Sequence, residues 1–155
     1  MADEARELKC LVLPLRGTPA LVPNSSVAEI VTQQDVTPGR DKPDWYLGTG
    51  SWRGIEVPLI AFDRLCGERQ DVPAAAGRFV VMFGLSGDNG APSFYGIRIE
   101  SLPRTETVDA ERLQATPGAT DHSQYVRVRA TLGERECVVP DFDAIGHALA
   151  RYAGG

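Results

Sequence analysis

The side chains in this chain best equipped for chemistry are two histidines, three cysteines and a scatter of carboxylates. His122 follows Asp121 in the loop Thr120-Asp121-His122-Ser123, which supplies half of a catalytic pair. No Ser or Cys stands in a nucleophile-elbow setting such as Gly-x-Ser-x-Gly, so a solvated loop histidine is the simpler reading. His147 falls in a separate segment, and neither histidine has a His or Cys partner at i+4, the spacing that zinc favours on a helix. Cys10, Cys66 and Cys137 are far apart and odd in number, which matches neither a disulfide framework nor a Cys-x-x-Cys pair. Each has an apolar neighbour and reads as a small buried hydrophobe. Glu29, Glu56 and Glu100 could meet in space as a carboxylate pair, which the sequence gives no means of showing. The sequence thus predicts no catalytic residue, no metal ligand set and no cofactor.

A glycine pair, Gly48-x-Gly50, suggests a phosphate loop at first sight. The third glycine of Gly-x-Gly-x-x-Gly is missing at position 53, no Gly-Lys-Ser/Thr is present and no helix follows. Arg53 lies between Trp52 and Gly54, where a turn glycine lets the backbone bend and sets a planar cation beside an indole. Two readings stand here: a surface arginine with its stem packed on Trp52, or a recognition residue.

Short runs of Val, Ile, Leu and aromatics separated by Pro, Gly, Asn and Asp predict many short strands joined by turns. Strands are expected near Leu8 to Leu15, Ala20 to Val22, Val27 to Val31, Ile55 to Ala61, Arg78 to Phe83, Phe94 to Leu102, Tyr125 to Ala130 and Arg135 to Val139. In Tyr125 to Ala130 the valines and arginines alternate, so this strand is half buried. Phe79-Val80-Val81-Met82-Phe83 is apolar on both faces and belongs deep inside, as a central strand or one between two cores. Loops are expected over Gln33 to Pro43, Gly67 to Gly77 and Ser86 to Pro92, the second as the crossing between halves and the third as a hairpin connection.

Two segments carry helical spacing. Phe142, Ile145, Leu149 and Tyr152 share one helical face after Pro140, with Asp141 or Asp143 placed to cap it and Gly154-Gly155 to end it. Phe62 to Cys66 forms a shorter turn before a capping Gly67. The two segments expose an internal repeat. Glu56 set against Glu136 brings Val57 to Cys137, Leu59 to Val139, Phe62 to Phe142, Asp63 to Asp143 and Leu65 to Ile145. Leu21-Val22 set near Gly96-Ile97 drops Val27 onto Leu102. Two similar β subdomains follow, not a solenoid, which needs three or more units.

The chain has 155 residues, 43% of them hydrophobic and 24% charged, the range of one ordinary globular domain. A fold of this size buries roughly 70% of the surface of its unfolded chain, so no disulfide or metal staple is required. A net charge of −5 argues against nucleic-acid partners, which are held by clustered Lys and Arg. Met1 to Lys9 is charged and lacks the apolar stretch of a secretory signal, and no run approaches a spanning helix, so a cytoplasmic location without membrane insertion is expected.

The segment Trp45 to Leu65 resembles the signature of the CheW-like coupling proteins: an apolar pair and glycine, a polar step, an aromatic residue followed by Arg53-Gly54, then a Val57-Pro58 strand and an acidic helical turn. Val27-Ala28-Glu29-Ile30 is similar to that family's Val-x-Glu-Ile, Thr37-Pro38 to its Thr-Pro, and Gly96 to Leu102 to its second-half glycine, apolar pair and acid. The resemblance spans approximately Leu8 to Leu149. It implies a mainly β fold of two intertwined five-stranded SH3-like barrels around a shared core with a C-terminal helix. That makes one domain over residues 1–155, with halves at approximately 8–77 and 78–149. It further implies a non-enzymatic adaptor that joins the cytoplasmic tip of a chemoreceptor to the regulatory domain of a CheA-type histidine kinase, in bacterial chemotaxis or pilus-driven motility, recruited to membrane arrays. Carried across, Val27, Glu29 and Ile30 line the receptor groove, Arg53 lies near it with Trp52 and Gly54, and Leu47, Gly48 and Glu56 belong to first-barrel surfaces. Core packing competes with contact for Val27 and Ile30, and simple exposure competes for Glu29.

Departures from the family pattern are Ala61 in place of an acid, Glu100 in place of aspartate, the polar step Thr49-Gly50-Ser51, and Asn24 at a position often apolar. Ala61, Asn24 and Glu100 leave open a one-sided decoy paralogue that binds only receptor or only kinase, while Asp121-His122 and the barrel geometry leave open a small-ligand-binding β-barrel or hydrolase.

Overall fold

The computed structural model describes residues 7–67, 76–84, 90–109, 113–115 and 124–152. His122, the segments proposed as crossing and hairpin tip at 68–75 and 85–89, and Gly154-Gly155 lie outside them. Strands come in the order β1 (Leu8–Leu13), β2 (Ala20–Pro23), β3 (Val27–Asp35), β4 (Tyr46–Trp52), β5 (Ile55–Ile60), β6 (Ala76–Phe83), β7 (Phe94–Ile99), β8 (Arg104–Val108), β9 (Leu113–Ala115), β10 (Val126–Leu132) and β11 (Arg135–Pro140). Helix α1 (Phe62–Leu65) follows β5 and helix α2 (Phe142–Ala150) follows β11.

Three strands were not expected: β4, hidden by its glycines, β8, which is short and polar, and β9, which is only three residues long. Two others end early, β1 at Leu13 because Pro14 has no amide to donate, and β7 at Ile99 ahead of Pro103. β3 runs on to Asp35, so Gln33 to Asp35 are strand and not loop; Gln34 is held in place because its side-chain amide donates to the Asp35 carbonyl at 3.0 Å.

The strands form a six-stranded sheet, β8-β1-β2-β11-β10-β9, and a five-stranded sheet, β3-β6-β7-β5-β4. Both mix early and late strands. All neighbours are antiparallel except β5 with β7 and β11 with β2, which are parallel and carry each half into the other's sheet. The two sheets correspond strand for strand, with β3, β6, β7, β5 and β4 matching β8, β1, β2, β11 and β10. The correspondence extends to registers. The β4–β5 ladder pairs Tyr46 with Ile60, breaks at a bulge, then pairs Gly48 with Leu59 and Trp52 with Ile55. The β10–β11 ladder pairs Val126 with Pro140, breaks at the same place, then pairs Val128 with Val139 and Leu132 with Arg135. The repeat read from Glu56 and Glu136 is therefore a structural repeat down to its bulge.

Burial follows from this layering. A central cluster draws Leu13 and Val22 from the first sheet, Ile60, Val80, Met82 and Ile97 from the second, and Phe62, Ile145 and Leu149 from the helices. A second cluster, with Leu47, Trp52, Leu59, Phe79 and Val81, fills the barrel of the five-stranded sheet, and a third, with Cys10, Val12, Leu21, Ala130 and Cys137, fills the other. β6 thus lies between two cores, Phe79 and Val81 facing one and Val80 and Met82 the other. Phe83 departs from the expected burial at 48% exposed, because it lies on the barrel-facing side with Phe79 and Val81 but at the last residue of β6, at the open end of that barrel beside Phe94. Asp141 caps α2 by accepting from the Ala144 amide at 3.0 Å, and Gly67, at φ +96°, closes α1.

The two buried thiols give a chemical check on this packing. Burial pushes both Cys10 and Cys137 upward in pKa, leaving little thiolate at neutral pH. With Ellman's reagent at pH 8, half-buried Cys66 is expected to react first, and Cys10 and Cys137 at least about tenfold more slowly until denaturant is added. Equal rates for all three would contradict the packing of the second barrel.

Candidate functional site

The five-stranded sheet closes into a barrel where its edge strands β3 and β4 meet, and that seam positions the candidate site. At one end Thr37 and Thr49 exchange two backbone hydrogen bonds of 2.8 Å. Midway the Gln34 side-chain amide reaches the Ser51 carbonyl at 3.4 Å. At the other end Arg53 donates from Nε at 3.0 Å and Nη2 at 2.6 Å to Glu29 Oε1.

The seam explains the glycine pair. A β-carbon built at Gly48 would stand 2.1 Å from the Thr37 carbonyl oxygen, and one at Gly50 would stand 2.6 Å from Gln34 Nε2. Gly48 also holds φ at +148°, a region side chains avoid. Gly48-x-Gly50 is therefore the close-approach surface of a β seam. Sequence reading missed the seam partners Gln34 and Thr37, whose role depends on a pairing between strands distant in the chain.

Arg53 and Gly54 form the β4–β5 turn with φ of +50° and +77°, the double positive φ of a type I′ turn. Asn-Gly is the easiest pair there; an arginine at the first position costs on the order of 1 kcal/mol of backbone strain. Its guanidinium carbon lies 5.2 Å from the Trp52 ring centroid. The guanidinium thus lies over the Trp52 ring, as the packing reading expects, and at the same time engages Glu29. The pair is surface exposed, Arg53 at 68% and Glu29 at 37% of side-chain area, so it adds little stability, about 0–1 kcal/mol.

The other predicted residues divide. Ile30 is 37% exposed, Glu56 and Gly54 are exposed, and Val27 is half-buried against the central core. Leu47 and Gly48 are not surface residues. Leu47 is 7% exposed inside the barrel, and Gly48 is buried under the Thr37 bridge. Trp52 is also interior at 8%, its ring tilted against Phe94 with centroids 4.9 Å apart, and Phe94 in turn meets Phe83 at 5.5 Å. Its Nε1 has no acceptor among the described residues. The carboxylates considered for acid–base work stand apart: Glu29 is held by Arg53, Glu100 by Arg16, and Glu56 is an exposed β5 residue.

Among the described residues no three His, Cys, Asp or Glu side chains converge as a metal site, and no helix is long and apolar enough to cross a membrane. Fold and site together define a two-barrel β protein with a charged, partly apolar face over one barrel seam. The CheW-like domain family model matches residues 9–149, and the chain belongs to that family. Its structure is similar to that of the scaffolding protein TtCheW from Thermoanaerobacter tengcongensis, with a TM-score of 0.70 at 16% identity over 86% of this chain and 88% of that one. No curated protein sequence matches the chain.

Proposed function

We propose that this protein is a non-enzymatic coupling adaptor that joins a chemoreceptor's cytoplasmic tip to the regulatory domain of a CheA-type histidine kinase, acting as one domain with interleaved halves at approximately 8–77 and 78–149. Family membership supports the adaptor class. The single observation that carries the rest is Arg53, kept at a strained turn position and held over Trp52 by Glu29, with Ile30 and Ile55 exposed at 37% and 46%. A residue that costs strain and returns little stability is retained for contact. Val27, Glu29 and Ile30 form the receptor-facing strand, and Arg53, Gly54 and Glu56 continue that surface onto the hairpin. Leu47, Gly48 and Trp52 shape it from beneath. Binding would take place in the cytoplasm, at receptor arrays.

The test is calorimetric titration of the purified protein with receptor fragments and kinase regulatory domains from its own cell, separately and together. Binding to both in one ternary complex is expected; binding to one alone supports the one-sided decoy, and binding to neither removes the proposal. Arg53→Asn is expected to change stability by no more than about 1 kcal/mol, since relief of strain offsets loss of the exposed ion pair and ring contact. The same change should weaken partner affinity by about tenfold.

A further inference from the structure

The matching of the two barrels makes one difference between them informative. In the ladders Val81 pairs with both Gly96 and Glu29, while Val12 pairs with both Leu21 and Arg104, so Arg104 is the counterpart of Glu29. By the same registers Leu132 matches Trp52, and Pro14 and Pro19, one step past the Leu13–Ala20 pair, match Phe83 and Phe94. In the first barrel the rings of Trp52, Phe94 and Phe83 fill the open end. Among the described residues their smaller counterparts leave that volume vacant in the second.

The vacancy is a cleft of about 550 Å³ bounded by Pro14, Leu15, Pro19, Leu102, Arg104 and Arg135. A lobe of about 330 Å³ continues it past Leu132 and Cys137, where Glu106 and Glu134 also stand. Leu102 is 59% exposed on its wall. In the outer part the one carboxylate, Glu136, is engaged by Arg129 at 3.1 Å, while Arg104 and Arg135 are exposed and have no carboxylate partner among the described residues. Charge at the mouth is therefore positive over an apolar floor.

We propose that this cleft docks a segment of a partner protein that presents an aromatic side chain beside a carboxylate. The ring takes the volume that Phe83 and Phe94 fill in the first barrel, and the carboxylate meets Arg104 and Arg135. A protein segment fits better than a small ligand because the mouth is wide and, among the described residues, no buried polar side chain lines it to orient a free molecule. The inference does not rest on receptor or kinase binding, and its test contains neither.

The probe is the peptide acetyl-Asp-Phe-Asp-amide, titrated into ¹⁵N-labelled full-length protein and followed by amide chemical shifts. Shifts at Leu15, Leu102, Arg104 and Arg135 are expected, with Arg104→Glu and Pro19→Phe each weakening binding by about tenfold while the remaining spectrum is retained. Acetyl-Asn-Ala-Asn-amide should give none. Arg104 is exposed, so its variant should fold even if Pro19→Phe does not. Shifts that map to the Arg53 hairpin, equal binding of the control peptide, unchanged affinity in Arg104→Glu, or phenylacetate binding as tightly as the peptide would each overturn the proposal.

Discussion

Gly48→Ala is expected to destabilise the protein by about 3–5 kcal/mol, because an unfavourable φ and an overpacked contact act together. The added carbon would sit 2.1 Å from the Thr37 oxygen and 2.7 Å from its carbonyl carbon, both backbone atoms that no rotamer change can move aside. Relief requires β4 to withdraw from Thr37, which breaks the two 2.8 Å hydrogen bonds and opens the barrel where it closes. Gly54→Ala is the matched control. It also has positive φ, +77°, but no atom lies within 4 Å of the new carbon, so it should cost only about 1 kcal/mol. Urea denaturation followed by tryptophan fluorescence measures both. If the two variants lose similar stability, the seam does not depend on close approach.

Phe79→Ala is expected to cost about 4 kcal/mol, a large fraction of the stability of a domain this size. Phe79 is 0% exposed, and its β6 neighbours Val80 and Met82 belong to the central core, so the cavity cannot collapse from either side without disturbing a second cluster. Phe83→Ala on the same strand, at 48% exposure, should cost about 1 kcal/mol. Thermal or urea unfolding of the pair distinguishes a strand buried between two cores from one covered on a single side. A loss below about 2 kcal/mol for Phe79→Ala would contradict the layering.

What the sequence disclosed and what it hid have separate physical causes. Patterns that burial imposes locally were readable: the apolar run of β6, the helical face of Ile145 and Leu149, and the repeat of β5–α1 in β11–α2. β4 was not, because Gly48 and Gly50 remove the alternation that marks a strand, and they do so for a contact with β3 that only the closed barrel reveals. The polar β8 and the three-residue β9 carry too little pattern of their own and are defined by pairing with β1 and β10. At the site, Glu29 and Arg53 were both identified from resemblance, and their direct pairing belongs to the fold. The interior positions of Leu47 and Trp52 also required it. The Arg104 cleft was within reach of the repeat alignment, since Val27 set on Leu102 already places Glu29 on Arg104.

The two parallel pairings bear on how the protein comes into being. β11 hydrogen-bonds to β2 at Val138 and Ala20, and β7 to β5 at Gly96 and Leu59, so contacts distant in sequence hold both sheets together. Such topologies fold slowly, since long loops must close before their contacts repay the lost entropy. During synthesis β2 must wait, with one edge uncovered, until the last strand, β11, has left the ribosome. A nascent chain cut short before β11 would therefore keep the β2 edge uncovered, open to pairing with another chain and to aggregation.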